Sequence, residues 1–544
     1  MAQLEEYYAW KGAAGGLNTL QDERAINENE SPYMLNVDIT KSGAVITRYG
    51  YELLGTATGI GAGGITGLLP FYKATGTAAD YLVICTTGSN ASSDNIFYYQ
   101  EADSVWSGNA IGDIGTVSGS VRGIVFEDAV SGTDKLYFGN GLAANSTKSW
   151  DGTTFATPTN WPDLNTFSSF KGFVFGTVPA TPYAVDYSDY PPDWTDAGEI
   201  SGNIYSRDHS KIVATVPLHD MMVVLKEESK TAITLQFDDA GAVVTPQQLP
   251  FKDFGGCVAP DTALEVFSEI YCLGKPNDGF LRFGEQSAYS GGSPRTQSLS
   301  WKIQPTVEKI NQEYQEVAAS AFWEHKYITS APVGNDQEVN NQSFVYFWDY
   351  DAWGMYNNIP ASKYAIFRGT DKEEFLCFGS ATEAKVFKFN KTFSDNGFGY
   401  TRSWKTWRNG LGNPAKFKKF GTLEVKGAMG QNSNLTVKIT VDYTTVEYQI
   451  TSDQLIEDTG GGYIAEDYMG DAYIGGEESD VVTPMYRYQA ELDFTPLIHS
   501  GQEVQIEFTN DGDGEPWMVD YYGFDWEFEP LRYMPPAYRV DPSV

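Results

Sequence analysis

The side chains in this 544-residue sequence that could carry chemistry are its histidines and a few carboxylates beside tryptophans. The four histidines, His209, His219, His325 and His499, do not lie at the HxxxH or HExxH spacing that places two of them on one metal ion. Two stretches, Asp349-Tyr350-Asp351-Ala352-Trp353 and Trp150-Asp151-Gly152, set a carboxylate beside an indole, as a sugar site would. The same stretches are typical of turns that close a small sheet over a packed tryptophan.

Other short motifs match a functional site by letters but lack the neighbouring residues that the chemistry of that site requires. No GxSxG elbow supports a nucleophilic serine. Gly59-x-Gly61-x-x-Gly64 matches the dinucleotide fingerprint, but a strand pattern over 65–72 follows it where a helix is required. Asp511 begins a stretch like a calcium loop, yet its twelfth position is Tyr522 and not the bidentate glutamate. The sequence therefore predicts no catalytic residue, no metal site and no cofactor, and a protein that is not an enzyme.

The charge of the chain excludes further functions. The formal net charge is −35, which disfavours binding to nucleic-acid phosphates or to anionic membrane surfaces. No apolar run approaches the roughly 20 residues of a membrane-spanning helix. The first residues contain no apolar stretch, so we expect no secretory signal and assembly in a cytoplasm.

The charge is also distributed unevenly. Residues 452–544 have a net charge of −18, whereas residues 398–426 have a net charge of +6. A basic segment in so acidic a chain indicates either a solvated face or a contact with an acidic partner surface. The candidate inter-subunit contact consists of Arg402, Lys405, Arg408, Lys416, Lys418, Lys419 and Lys426.

Apolar strand patterns recur along the middle of the chain. Seven segments beginning near Gly67, Gly123, Gly172, Met221, Leu264, Phe322 and Tyr364 share one order of strands and polar gaps, at a spacing of about 50 residues. This period is typical of four-stranded propeller blades, although two large β-sandwiches would give a similar pattern. The one helical pattern covers 304–318, where Pro305 can open a first turn.

These patterns predict an all-β protein with three parts. An extended N-terminal arm occupies residues 1–60, and a β-propeller of about seven blades occupies 61–397. Residues 398–544 alternate polar and apolar side chains, which indicates a β-sandwich with one solvated face on each sheet.

The order of these parts resembles a known family. GGLN at 15–18, ESPYMLNVD at 30–38 and GAVITRYGY at 43–51 are similar to the opening of bacteriophage tail structural proteins. The whole order resembles the tail nozzle, or tail hub, of short-tailed phages. The resemblance implies a homohexameric ring in the virion tail, assembled in the host cytoplasm, that continues the DNA exit channel below the portal and adaptor.

The resemblance also implies partners. They are other copies of the chain, the adaptor or head-tail connector, and tail fibre or tail-tip proteins. Double-stranded DNA would pass through the channel without specific binding, and no membrane partner is expected. Acidic walls suit this role because they repel the duplex and keep it near the axis.

A channel that holds packaged DNA has to be closed before ejection. The candidate gate is the polar loop 333–342, with Asn335, Asp336, Gln337, Glu338 and Asn340; an outer-surface loop would have the same composition. Two other functions stay open from the sequence: a carbohydrate-binding or depolymerising β-protein at the host surface, and a propeller scaffold that binds peptides on its rim.

Overall fold

The computed structural model describes residues 6–55, 60–61, 63–73, 79–87, 95–100, 105–107, 110–115, 119–128, 132–142, 145–188, 198–200, 210–237, 243–251, 255–284, 295–369, 372–451, 485–493, 498, 500–511 and 515–529. Their secondary structure is almost entirely β, as the sequence predicts. The one α-helix among these residues, α1, is Gln304–Val307. Short 3-10 turns lie at Pro260–Thr262, Trp301–Ile303, Gln315–Val317 and Trp348–Tyr350.

The N-terminal segment consists of short strands that pair with distant parts of the chain. They are β1 Glu6–Ala9, β2 Gly16–Leu17, β3 Glu30–Ser31, β4 Tyr33–Leu35, β5 Val37–Ile39, β6 Val45–Thr47 and β7 Tyr51–Leu53. Strands β2 and β3 pair with each other in parallel, whereas the other strands complete sheets formed later in the sequence.

The middle of the chain forms successive groups of antiparallel strands. In chain order these are β8 Ile65–Lys73, β9 Ala79–Thr86, β10 Ile96–Gln100 and β11 Val105–Trp106; β12 Arg122–Glu127, β13 Asp134–Gly139, β14 Lys148–Trp150 and β15 Phe155–Ala156; β16 Thr166–Phe170, β17 Phe173–Thr177, β18 Val185–Tyr187 and β19 Gly198–Ile200; β20 Ile212–Leu218, β21 Met221–Lys226, β22 Lys230–Phe237 and β23 Val243–Pro250; β24 Leu264–Val266, β25 Glu269–Leu273, β26 Phe280–Gly284 and β27 Arg295–Ser298; β28 Ala319–Trp323, β29 Lys326–Ala331, β30 Gln342–Phe347 and β31 Ala352–Asn357; and β32 Ala361–Arg368, β33 Glu374–Ser380 and β34 Val386–Phe389.

The groups are arranged in a closed order. Within each group, consecutive strands pair as neighbours. The first strands contact each other in sequence, from β8 to β12, β16, β20, β24, β28 and β32, and β32 contacts β8 again. Buried strands such as β17, whose five residues are all buried, carry apolar and β-branched side chains on both faces. Packing between neighbouring groups therefore supplies the core that a single small sheet lacks.

The last group is completed by the N-terminal segment. Strand β7 pairs antiparallel with β34 and supplies the fourth strand of the seventh sheet. Its Tyr51 packs edge-on against Phe378 and Phe387, with ring centroids 4.9 and 5.1 Å apart. The seventh group is thus completed by residues from the two ends of the circle, which are far apart in sequence and are joined by hydrogen bonds and aromatic packing.

The C-terminal part forms two sheets that share strands with the rest of the molecule. Its strands are β35 Thr401–Lys405, β36 Lys418–Gly430, β37 Leu435–Val441, β38 Thr444–Ile450, β39 Met485–Asp493, β40 Val504–Asp511 and β41 Trp517–Phe528. One sheet has the order β39-β36-β41-β6-β5, with β1 also on β41. In the other, β4 lies between β31 and β35, which joins the sixth group to the C-terminal strands in one nine-stranded sheet.

The two C-terminal sheets pack against each other through aromatic side chains. Trp404 stacks on Phe508 at 5.2 Å within one sheet and reaches Tyr522 of the other at 6.1 Å. Trp10 of the N-terminal segment contacts both Trp404 and Tyr522. In β37 the side chains alternate strictly between buried and half-buried, which is the pattern that the sequence predicts for a strand with one solvated face.

A buried ion pair binds the N-terminal segment to the stretch of chain between the seventh group and the C-terminal sheets. The Arg48 guanidinium donates to both carboxylate oxygens of Asp395, at 2.9 and 2.6 Å, and both side chains are at most 5% exposed. The guanidinium also lies 4.0 Å from the ring centroid of Tyr400 and donates to the side chain of Asn36. Residues 30–53 therefore connect the seventh group, the sixth group and the C-terminal sheets.

Two details differ from the sequence prediction. In the third and fourth groups the predicted starts, Gly172 and Met221, fall at the second strand, because β16 and β20 precede them. The helix predicted over 304–318 is wrong beyond its first turn. Ile310 bridges to Val333 and the Asn311 amide donates to the Pro332 carbonyl, so this backbone pairs with the neighbouring loop instead of continuing a helix.

Candidate functional site

Four side chains from three non-neighbouring groups meet inside the circle of first strands. Ser120 lies two residues before β12 and Arg122 is the first residue of that strand. Asp261 lies in the turn before β24, and Lys363 lies near the start of β32. These strands belong to the second, fifth and seventh groups, so contact among them has to cross the interior of the circle. We call these four residues the axial ion cluster.

The carboxylate of Asp261 is the centre of this cluster. Arg122 donates to it twice, from Nε to Oδ1 at 2.7 Å and from Nη2 to Oδ2 at 2.8 Å. The Ser120 hydroxyl donates to Oδ2 at 3.0 Å, and the Lys363 ammonium donates to the same oxygen and to Ser120. Arg122 Nη1 also reaches the backbone and side-chain oxygens of Asn165, at 3.3 and 3.2 Å.

Burial and charge determine the ionisation of this cluster. The three charged side chains are only 10–17% exposed. Burial opposes ionisation of Asp261, but the neighbouring Arg122 and Lys363 charges outweigh it and hold the pKa of this carboxyl well below its usual range. Burial, reinforced by the Arg122 charge, lowers the pKa of Lys363 to about 8 although Asp261 stabilises the ammonium.

The cluster also limits what can pass through one chain. Its side chains approach within hydrogen-bond distance from several directions across the circle. No room is left at this level for a nucleic-acid duplex. Each of the three groups carries a charged residue at or just before the start of its apolar first strand, in SVRGIVF, PDTALEV and ASKYAIF. That recurrence is the sequence signal that could have revealed the cluster.

The predicted contact segment is used largely within the chain itself. Arg402 and Lys418 are fully buried. Arg402 donates to the backbone oxygens of Glu515 and Phe393, and Lys418 donates to those of Asn413 and Gln502. Burial of the Lys418 amine lowers its pKa. These two residues donate to backbone carbonyls between residues 393 and 515 and have no charge to present at the surface.

Two more members of that segment pair with the N-terminal segment. Lys405 Nζ lies 3.2 Å from Glu23, and Arg408 lies 3.4 Å from the same carboxylate. Arg408 is also 3.9 Å from Glu503, which accepts from Arg24 at 2.7 Å. These pairs tie residues 23–24 to the C-terminal sheets.

The remaining members are the more exposed ones. Lys419 pairs with Glu527 at 3.2 Å and Lys426 pairs with Glu424 at 2.8 Å, both along the sheet surface. Lys416 lies 5.0 Å from the ring centroid of Phe528. Contact with another subunit stays a prediction, and these three side chains are the ones positioned for it.

The predicted gate loop 333–342 connects β29 to β30. Because strands alternate in direction, this connection lies at the same end of the sheet as the links between successive groups. Asn340 is buried, and its side-chain amide donates to the backbone oxygens of Val317 and Ala361 at 2.9 and 2.6 Å. Asn340 therefore anchors the loop to the 3-10 turn that precedes β28 and to the start of β32.

The other loop members lie further out. Asn335, Asp336 and Glu338 are exposed, and Gln337 is half-buried. The side chain of Asn311 donates to the backbone oxygens of Asn335 and Gln337, at 3.1 and 2.8 Å. The loop is thus held to its own chain at both ends, and its role as a gate stays a prediction.

An exposed aromatic surface lies at the opposite end of the fifth and sixth groups. The hairpin turns β24–β25 and β28–β29 place Phe267, Ser268, Glu324 and His325 at φ values of 49, 67, 45 and 59°. Such turns are usually formed by Asn and Gly, because other side chains are strained there. Phe267 is 60% exposed and packs on Trp348, with ring centroids 5.1 Å apart.

A carboxylate borders this aromatic surface. His325 Nδ1 lies 3.1 Å from Asp349, beside Trp348. Asp351 accepts from the Tyr346 hydroxyl at 2.7 Å and ends the turn, while Trp353 is buried and donates to a backbone oxygen. The Asp-Tyr-Asp-Ala-Trp stretch therefore closes a sheet through Asp351 and Trp353, and presents Asp349 near the exposed rings.

A cleft of about 550 Å³ lies where the N-terminal segment meets the sixth and seventh groups. Its lining includes Asp38, Arg48, Lys326 and Lys388. Lys326 pairs with Asp38 at 2.6 Å, and Lys388 pairs with a glutamate at 3.0 Å. The cleft thus has mixed charge, much of it paired.

The described ranges contain neither a metal-ion cluster nor a membrane-spanning helix. No group of histidine, cysteine and acidic side chains there is arranged to hold a metal ion. In that same part of the chain no helix has the length and apolar character needed to cross a membrane.

Comparisons with known proteins return remote likenesses. No protein-family model matches the chain, and no curated protein matches it either. Among solved structures, the extracellular domain described as part of a hybrid two-component system from B. thetaiotaomicron is similar at a TM-score of 0.36 and 10% identity, over 74% of this chain and 47% of that one. A second structure, described as the extracellular domain of a one-component system from the same organism, is similar at a TM-score of 0.36 and 8% identity, over 80% of this chain and 59% of that one. The chain thus spans about half the length of these structures, and likeness at this level assigns it no function.

Proposed function

We propose that the chain is a structural protein of a bacteriophage tail, a nozzle subunit that assembles with other copies into a ring around the DNA exit channel. In this proposal residues 61–397 form a seven-bladed β-propeller and residues 398–544 a β-sandwich-like domain. Its partners are further copies in a homohexamer, the adaptor or head-tail connector, and tail fibre or tail-tip proteins. It has no catalytic role and is located in the virion tail.

The observation that carries the proposal is the way the N-terminal segment interlocks the molecule. Strand β7 completes the seventh group, β4 joins the sixth group to the C-terminal strands, and β6 pairs with β41. The contacts from each first strand to the next return from β32 to β8 and support the propeller assignment. A body interlocked in this way suits a tail component that has to keep its shape while DNA leaves under pressure.

The axial ion cluster supports a channel formed between copies. Asp261, Arg122 and Lys363 fill the interior of the single chain, so a duplex needs a path outside that circle. Only a ring of several chains offers such a path. The net charge of −35 fits walls that repel DNA, because each uncompensated Lys or Arg would hold a phosphate.

The proposal is tested by the assembly state and shape of the full-length purified protein. Sedimentation together with negative-stain images is expected to give a six-fold ring with a central opening. A monomeric globule at every concentration and salt condition would contradict the proposal. A reconstruction would also report whether loop 333–342 faces the axis, as a gate requires.

The exposed aromatic surface favours one other function, a carbohydrate-binding or depolymerising protein at the host surface. Phe267 is exposed and Trp348 is half-buried, and both lie close to Asp349; aromatic rings beside a carboxylate suit a sugar ring with its hydroxyl groups. Binding of host-surface polysaccharide that is lost in Trp348→Ala would favour this function. Trp301→Ala is the matched control, because Trp301 is 51% exposed away from that surface.

A further inference from the structure

We infer that the axial ion cluster is a binding site for one small anion, held by Lys363 and Arg122 inside the circle of first strands. The ligand is a halide or a small anionic oxygen group such as formate or inorganic phosphate. This inference goes beyond the structural role proposed above, and it applies equally to a single chain and to an assembled ring.

The charges of the cluster do not balance. Two cations, Arg122 and Lys363, face the single carboxylate of Asp261. The other described groups in contact are neutral: Ser120 and Asn165 are uncharged, and burial raises the pKa of the Cys85 thiol to about 12. The described groups therefore leave one positive charge in a site that is 10–17% exposed.

An unbalanced buried charge is unfavourable. Removing an ion from water costs several kcal/mol unless attraction to an opposite charge offsets this loss of hydration. Lys363 can relieve the imbalance by losing its proton, and its lowered pKa shows that tendency. A bound anion relieves it in the other way, because it supplies the missing negative charge while the ammonium stays protonated.

Among the described residues, each of the two cations keeps one N–H group without a hydrogen-bond partner. The Lys363 ammonium has three N–H groups, and two of them are directed to Asp261 and Ser120. Arg122 uses Nε and one N–H of Nη2 on Asp261, and Nη1 on both the backbone and the side-chain oxygen of Asn165. These four contacts leave one of its five N–H groups without a partner among the described residues. The donors left over can coordinate one small ligand.

The surroundings restrict the size of this ligand. The side chains have little exposed area, so a small ion can reach them but a polymer cannot. The net charge of −35 also repels large polyanions such as DNA from the molecule as a whole. A small monovalent or divalent anion meets both limits.

Crystals of the full-length protein soaked in sodium bromide give a direct test. Anomalous scattering is expected to place one bromide between Lys363 Nζ and the Arg122 guanidinium. The variant Lys363→Met should lose this peak, and it should fold because Asp261 remains paired with Arg122. Lys388→Met, which removes a lysine of a more exposed pair, is the control and should retain the peak.

Thermal unfolding in solution gives a second test and distinguishes the ligand sources. Bromide, formate and inorganic phosphate are compared with gluconate, a larger organic anion, at equal ionic strength. Saturable stabilisation by at least one small anion is expected in the wild type and in Lys388→Met, and not in Lys363→Met. The effect should weaken above pH 8 as Lys363 loses its proton. No bromide at the cluster, or equal anion effects in Lys363→Met, would overturn the inference.

Discussion

Replacing Asp261 with Asn is the sharpest test of how the molecule is held together at its centre. The carboxylate accepts hydrogen bonds from Ser120, from two nitrogens of Arg122 and from Lys363. Asparagine keeps the size of the side chain but removes the negative charge. Two buried cations would then face each other without a counter-charge.

The magnitude follows from the burial of these groups. Removing one partner of a buried ion pair lowers the free energy of unfolding by about 3–5 kcal/mol, because the remaining charge is left uncompensated. Each 1.4 kcal/mol corresponds to a tenfold change in an equilibrium constant. Hydrogen exchange in β12, β24 and β32 should therefore accelerate by roughly 100- to 5,000-fold where local opening limits the exchange.

The measurement combines urea unfolding, followed by tryptophan fluorescence, with hydrogen exchange read by mass spectrometry. Glu447→Gln is the matched control, since the Lys438–Glu447 pair at 3.4 Å is exposed and should contribute less than about 1 kcal/mol. The double variant Asp261→Asn with Lys363→Met should recover part of the loss because only one unpaired cation remains. If Asp261→Asn were no more destabilising than Glu447→Gln, the cluster would not hold the groups together.

Three further predictions follow from the same structure. The unfolded chain retains the Lys363 proton up to about pH 10.4, whereas the folded chain loses it near pH 8. The free energy of unfolding should therefore rise between these two pH values, by no more than about 3 kcal/mol. Urea titrations should show this rise in the wild type and not in Lys363→Met. Arg48→Met leaves Asp395 buried without its partner and should cost about 3–5 kcal/mol, measured as earlier urea unfolding and faster proteolysis of the C-terminal sheets. Charge reversal of exposed Lys416 and Lys419 should weaken assembly more at low than at high salt in sedimentation experiments, whereas unchanged assembly at low salt would argue against an acidic partner surface.

The sequence indicated the strand content and the repeating groups because these features are local. Alternating or continuous apolar runs of five to eight residues determine which faces of a strand are buried, as in β17 and β37. It misjudged 304–318, because Val307 and Ile310 match a helical period, while the hydrogen bonds of 310–311 go to the loop at 332–333. Helix propensity predicts poorly where backbone groups form hydrogen bonds with residues distant in sequence.

The sequence by itself determined that this protein is rich in β-strands, strongly acidic and built from about 50-residue groups, since composition and periodicity contain that information directly. Only the tertiary structure decided which of the charged side chains are exposed on the surface and which are buried or paired within the chain. Of the seven basic residues between 398 and 426, Arg402 and Lys418 are buried on backbone carbonyls, and others pair with acids on strands or turns distant in sequence. The axial ion cluster also depended on the tertiary structure. A charged residue recurs near the start of three first strands, but Arg122, Asp261 and Lys363 are more than 100 residues apart from one another and meet only when the first strands close their circle. A linear pattern records the charge of each residue, whereas the partner of that charge depends on how the sheets close on each other.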